Sequence, residues 1–253
     1  MSKSTSFISS LEKGFFVLNT FVPENPSLGL AAVARANNMT LGTAHRYLLT
    51  LKKLGYIAQD PETKKYRLTP KVLTLGFSVF RGMDLRSRIL PYMLKMSREL
   101  DTTTQCAILD GTEIVYIERV RASGLVNLDL ATGSRLPAHC TSMGKAILAF
   151  LPEKESRHLI GKMKLVPQTP FTITDKKILW EDLKLTRERG YAINNQELTL
   201  GLRTLAAPIF REERKVEAAL GLSFPCDRVE GNNLESVYID EMLKVSKAVS
   251  LEY

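Results

Sequence analysis

Three places in the chain hold residue types able to do covalent or metal chemistry. His139-Cys140 sets an imidazole beside a thiol, the raw material of a cysteine nucleophile and its base. Adjacent side chains point apart, however, and no third residue stands at an offset that would orient the pair. Gly144-Lys145 matches the end of a phosphate-cradling G-x-x-x-x-G-K-[S/T] loop, but His139 occupies the place of the first glycine and Ala146 that of the hydroxyl. The three histidines, at 45, 139 and 158, are scattered, and no carboxylate joins them at ligand spacing. There is no G-x-S-x-G elbow. These patterns predict no catalytic residue, no cofactor and no metal; the chain is not expected to be an enzyme.

Two other stretches carry non-covalent chemistry. In "MTLGTAHRYLLTLKKLGYI" (39–57) the apolar Ala44, Tyr47, Leu48, Leu51 and Leu54 recur every three or four residues, which predicts one buried helical stripe. The opposite face carries Thr40, Thr43, Arg46, Thr50 and Lys53. Small residues at the leading end (Thr40, Gly42, Thr43, Ala44) let backbone approach the floor of a DNA major groove. Arg46 has the reach for a bidentate guanine contact, while His45, Tyr47 and Lys53 suit phosphates or the flank. In "CTSMGKAILAFL" (140–151), Thr141-Ser142 opens an apolar helix behind Pro137. Unpaired first-turn amides and the positive dipole end make such a start an anion-binding point. Asn194, Asn195, Thr204 and Ser223, near other strand ends, could complete a small-molecule site, although the residues alone favour an ordinary capped helix.

The elements that must position these groups follow from punctuation. Residues 10–21 predict a helix with Leu11, Phe15, Leu18 and Val22 inward, ended by Pro23 and Pro26. Residues 28–36 predict a shorter one burying Leu30, Ala31, Val33 and Ala34. Asn37-Asn38 marks a turn, Thr40 an N-cap for the third helix, and Gly55 its stop, which is helix-turn-helix spacing. Short strands at 56–59 and 66–68 flank Asp60-Pro61-Glu62-Thr63, and the hairpin tip carries Lys64 and Lys65: a basic wing. Residues 70–80 predict an apolar helix that could pair with its copy in a second subunit or pack on its own domain. Another helix follows over 85–100, started or kinked by Pro91. Beyond 103 strands dominate: "TQCAILD" and "EIVYIERV" around the hairpin signal Asp110-Gly111, then "LVNLDLAT" (125–132) as a third. Helices over 140–151 and 176–190, strands over 201–210 and 216–225, and a closing helix over 233–251 complete an α+β domain with an antiparallel sheet.

Charge separates the two halves. The chain of 253 residues is 44% hydrophobic and 25% charged, with a formal net charge of +8. Residues 1–80 hold ten Lys/Arg and four Asp/Glu, a net of +6, so the first third is where a polyanion is attracted. The other 173 residues hold 25 bases and 23 acids. Cysteines 106, 140 and 226 form no close pair and fit a reducing compartment. Glu12 and Lys13 interrupt the apolar N-terminus, and no apolar run approaches a bilayer span. A cytoplasmic protein without membrane association is expected.

"SLEKGFFVLNTF", "GYIAQDPETKKYRLTP", "GSRLPAHCTSMGKAILAFL", "NQELTLGLRTLAAPIF" and "AALGLS" occur in an order that resembles the IclR family of bacterial transcription regulators, over nearly the whole chain. The resemblance implies a winged helix-turn-helix DNA-binding domain (1–69), a linker helix (70–84) that dimerises, and a GAF-like effector-binding domain (85–253). It implies a homodimer or dimer of dimers on double-stranded, palindromic operator DNA, with Thr43, His45, Arg46 and Tyr47 as DNA contacts. The family's effector pocket falls on Ser142, Met143, Asn194, Thr204, Gly221 and Ser223. Members that bind small keto-acids have an acid where Asn194 stands and a serine where Gly221 stands, so a roomier, less polar pocket is expected here. "LPAHCTSMGK" is most similar to the branch controlling aromatic-acid catabolism, which implies an aromatic carboxylate seated on the Ser142 and Met143 amides. The alternative is a small-molecule sensor acting through protein partners without DNA.

Overall fold

Thr40 caps the third helix as its position predicts: its hydroxyl accepts from the Thr43 amide at 3.2 Å. A computed structural model describes residues 7–22, 24–122, 130–211, 215–229 and 234–251, and divides into two units after Gly82. In the first unit, α1 (Ser9–Asn19), β1 (Ser27–Leu28), α2 (Leu30–Ala36) and α3 (Leu41–Lys53) precede a hairpin of β2 (Ile57–Gln59) and β3 (Tyr66–Leu68), then α4 (Lys71–Arg81). The α2–α3 turn passes through Asn38 at φ 52°, a left-handed conformation that asparagine tolerates. Gly55, at φ 79°, ends α3 in a conformation costly to any residue with a Cβ.

The unexpected strand β1 completes a three-stranded sheet in the order β1-β3-β2. Val17, Phe21, Val33, Leu48, Leu51, Ile57 and Tyr66 make the core. The helix α1 therefore buries Val17, with Leu18 partly buried and Phe21 buried just beyond its end; of the residues expected inward, Leu11 and Phe15 are 60% and 51% exposed, and Val22 is exposed as well. Two apolar stripes run along this helix, and periodicity alone cannot say which one meets α3. In α2, Val33 and Ala34 are buried, Leu30 only partly, and Ala31 is exposed. The predicted stripe of α3 holds at Ala44, Leu48 and Leu51, whereas Tyr47 is half-buried and Leu54, at the helix end, is exposed.

The second unit begins with α5 (Asp84–Leu100), which carries Pro91 in its interior without ending. Its sheet has six antiparallel strands in the order β6-β5-β4-β9-β8-β7: β4 (Thr103–Asp110), β5 (Glu113–Val120), β6 (Arg135–Pro137), β7 (Ala192–Asn195), β8 (Leu202–Phe210) and β9 (Val216–Pro225). The third strand is β6 rather than 125–132: residues 130–132 are not strand, and 125–129 lie outside the described residues. Helices α6 (Ser142–Phe150), α7 (Glu153–Lys162), α8 (Lys176–Arg189) and α9 (Leu234–Leu251) complete the unit; the sequence reading missed α7.

Alternation along β9 divides the core in two. Ala218, Leu220, Leu222 and Phe224 join Ile89 and Met93 of α5 and Tyr238 and Met242 of α9. On the other face, Ala107, Ala206 and Ala219 form a floor of small side chains under Met143, Ala146 and Ile147 of α6. That floor lets α6 lie close to the strands, which brings its N-terminal end to the middle of the sheet.

Candidate functional site

The exposed face of α3 and the wing are joined by a side chain that the sequence reading did not single out. Gln59 on β2 accepts from the Lys52 ammonium at 3.3 Å and donates to the Lys64 carbonyl at 3.1 Å. The turn is held by Asp60, whose carboxylate accepts from the Thr63 amide (2.7 Å), the Thr63 hydroxyl (2.8 Å) and the Glu62 amide (3.1 Å). These bonds hold the Asp60 carboxyl below its ordinary pKa, the Thr63 amide contributing most. Lys64 takes φ 55°, and both Lys64 and Lys65 are exposed. His45, Arg46 and Lys53 are exposed on α3, with Thr40 at its leading end; Thr43 and Tyr47 are half-buried. Thr43, Arg46 and Tyr47 also border an apolar groove of about 630 Å³ shared with Leu11, Phe15 and Leu75.

In the second unit, all six residues placed at the effector site border a single cavity. Ser142 and Met143 enter from the start of α6, Asn194 from β7, Thr204 from β8, and Gly221 and Ser223 from β9. The Thr204 hydroxyl donates to the Ser142 hydroxyl at 2.8 Å. Thr141 caps α6 through the Gly144 amide at 3.2 Å, and the Lys145 amide bonds the Thr141 carbonyl. Among the described residues, no group accepts from the Ser142 and Met143 amides.

The expected roominess is absent. The cavity holds about 30 Å³, because the space opened by Gly221 is taken: a Cβ there would lie 3.0 Å from Met143 Cγ and 3.1 Å from its Sδ. Nor is the wall apolar. Gln105 of β4 and Tyr116 and Arg119 of β5 line it, and sequence reading missed all three, because no local motif marks a strand residue aimed at a helix end. Arg119 donates to the Leu130 carbonyl at 2.7 Å; burial, then the nearby Arg121, lowers its pKa. Asn194 has spent its amide already, donating to the Cys140 carbonyl and accepting from the Glu197 amide at 3.0 Å.

Behind the cavity lies an ion cluster that the sequence hid. Lys145 is 1% exposed, its ammonium 2.5 Å from Glu197 and 2.9 Å from Asp182. Burial raises the Glu197 carboxyl and Lys145 draws it back. Held this way, Lys145 is bound within the protein and is not offered to a phosphate. His139 and Cys140 are both buried and turned to different partners, the Val166 carbonyl at 3.3 Å and the Pro137 carbonyl at 3.7 Å. Burial pushes the Cys140 thiol up to about 12, so it stays protonated at neutral pH. No cluster of three or more metal-ligating side chains occurs among the described residues, and no helix there is long and apolar enough to cross a membrane.

Two family models match the chain, "IclR helix-turn-helix domain" over residues 10–61 and "Bacterial transcriptional regulator IclR C-terminal" over residues 77–251. The "Pca regulon regulatory protein" of Pseudomonas putida is 34% identical over 242 residues, covering 95% of this chain and 82% of that one. A transcriptional regulator of Rhodococcus sp. RHA1 shares 35% identity and superposes with a TM-score of 0.82, over 97% of this chain and 98% of that one. An IclR homologue of Microbacterium hydrocarbonoxydans, solved with 4-hydroxybenzoate, is 24% identical with a TM-score of 0.82, over 95% and 97%, and shares the fold. With matched models spanning both units and relatives aligned nearly end to end, this chain belongs to the IclR family of bacterial transcriptional regulators.

Proposed function

We propose that the chain is a sequence-specific reader of double-stranded operator DNA, controlled by a small carboxylate, an aromatic acid being the class favoured. The observation that carries the DNA reading is the stitched pair of α3 and wing. A capped helix with a small leading end and an exposed arginine lies beside two exposed lysines, and Gln59 fixes their spacing. Arg46 and the leading end of α3 read base edges; His45, Tyr47, Lys53, Lys64 and Lys65 hold phosphates. Electrophoretic shift of the upstream DNA of the protein's own gene tests this. Affinity should fall steeply as salt rises, since bound phosphates release counterions. Retention of effector binding with no affinity for DNA at low salt would favour a sensor acting through protein partners.

The effector reading rests on charge and position. Among the described residues lining the cavity, Arg119 is the one charged side chain, and the unpaired Ser142 and Met143 amides are the other electropositive group. An anion is the complement of both. The aromatic class is favoured by the name of the Pseudomonas relative and by 4-hydroxybenzoate in the Microbacterium structure. Titration calorimetry with an aromatic acid and its methyl ester tests the docking mode: the ester should lose affinity, and equal binding would rule the mode out.

Residues 1–69 serve as the reading head, 70–84 as linker and 85–253 as effector domain. Leu73, Leu75, Phe77 and Val79 of α4, with Leu11 and Phe15 of α1, leave an apolar surface exposed on the first unit. A second copy of the same unit covers it, since a two-fold pairing sets two heads at one spacing, as a palindromic site requires. The working form is a homodimer or a dimer of dimers in the cytoplasm.

A further inference from the structure

From the packing at Gly221 we infer that the side chain of Met143 is a displaceable plug that fills the effector cavity and sets the size of acid admitted. This rests on reading that cavity as the effector site. The cavity's volume, about 30 Å³, has room for a water or two. An apolar cavity that admits benzene measures about 150 Å³, so a ring-sized acid needs space that something must vacate.

The other walls are tied down. The 196–201 segment, which brings Leu198 and Thr199 to the cavity, is held from several sides. Thr169 donates to the Gln196 carbonyl at 2.7 Å, Thr172 to the Glu197 carbonyl at 2.6 Å, and Lys145 pairs with the Glu197 carboxylate. The backbone of α6 is fixed at Gly144, where a Cβ would lie 2.2 Å from the Ala138 carbonyl oxygen. Arg119 and Asn194 are anchored through Leu130 and through Cys140 and Glu197. Met143 alone among the large lining side chains is unbranched, apolar and without a polar tie. It lies over the one strand position among the described residues that lacks a side chain. A thioether with three rotatable bonds is the side chain best suited to yield. Gly221 is therefore a slot for Met143, and the pair replaces the larger, fixed void that a glycine there would otherwise leave.

The test compares full-length wild type with Met143→Ala, Met143→Leu and Gly221→Ala, each first checked for folding by thermal melting. Calorimetry with benzoate and pyruvate reads size selection, and NMR with benzene reads the cavity without any charge. Met143→Ala should bind benzoate about tenfold more tightly than wild type, because the closed form no longer taxes binding. It should bind pyruvate no better, and it should take up benzene where wild type does not. Met143→Leu, branched and with fewer rotatable bonds, should bind benzoate more weakly than wild type, and Gly221→Ala should weaken benzoate by pressing Met143 into the remaining space. Equal gains for both acids, or benzene entering wild type and Met143→Ala alike, would overturn the plug. Benzene uptake by Met143→Ala with no carboxylate bound by any form would keep the plug and sink the carboxylate reading instead. Should Met143→Ala not fold, Met143→Val must show the same size selectivity, and its absence there counts against the proposal.

Discussion

The two units carry hollows of opposite kind. The groove of the head is about 630 Å³, open, and walled by Leu11, Phe15 and Leu75, which are half exposed or more. The cavity of the second unit is about 30 Å³, narrower and more enclosed, and ringed by Gln105, Arg119, Ser142, Thr204 and Ser223. Ranked by volume, the head would be taken for the ligand site. Chemistry reverses that order: exposed apolar walls with few polar groups fit a protein surface, whereas converging polar groups and a cation fit a small anion. The volume of a hollow reports what the surrounding side chains fill.

Lys145→Met leaves Glu197 and Asp182 facing each other without their cation. Losing one member of a buried ion pair costs roughly 3–5 kcal/mol, and the partial exposure of Asp182 points to the lower end. Denaturant melts of Lys145→Met should show that loss, and Lys145→Met/Glu197→Leu should recover much of it. An unchanged midpoint in the single variant would mean that the cluster does not hold the cavity's back wall. The groove is probed by Leu75→Glu, which should weaken self-association by about 2 kcal/mol, the scale of an interface hot spot. Sedimentation equilibrium reads it, and an unaltered dimer would free that groove for some other occupant. On the reading face, Arg46→Ala should cost about 1–3 kcal/mol and relax preference at one base pair, while Lys64→Ala should weaken all sequences alike and lower the salt slope by about one. Filter binding across a salt series separates the two patterns.

The smallest effect concerns acid. Asp60's carboxyl is held low chiefly by the Thr63 amide, so its contribution to the wing is fully present above the ordinary value of 3.8 and is lost as pH falls through the lower folded value. Protection of the Thr63 amide, measured against its intrinsic exchange rate, should therefore fall only in strongly acidic solution, and Asp60→Asn should remove that dependence. A Thr63 amide equally protected through the whole range would show that the turn is held by other bonds.

Much of the head was legible because its signals are local. Thr40, Asn38, Gly55 and Asp60 each act within four residues of their own position, and the structure finds each at its predicted turn or cap. The face of α1 was not legible, since Val17 and Phe15 are equally apolar and only tertiary packing chooses between them. In the second unit, family motifs brought six residues to one cavity, but not what fills it. Gly221 reads as lost bulk until Met143, 78 positions earlier in the chain, is seen lying on it. Arg119 and Gln105 were invisible for the same reason: antiparallel pairing, not sequence spacing, brings their strands to the head of α6.

Gly144 has a mechanical consequence. Its bare Cα lets the 138–140 turn nest against the first coil of α6, so the two are geared together and cannot shift independently. The His139 ring in turn touches the Val166 carbonyl, on the segment that leads to Thr169 and Thr172. A ligand that nudged the helix start would thus be felt some twenty-five residues further along the chain, on the protein's outer surface near the exposed Val166 and Phe171.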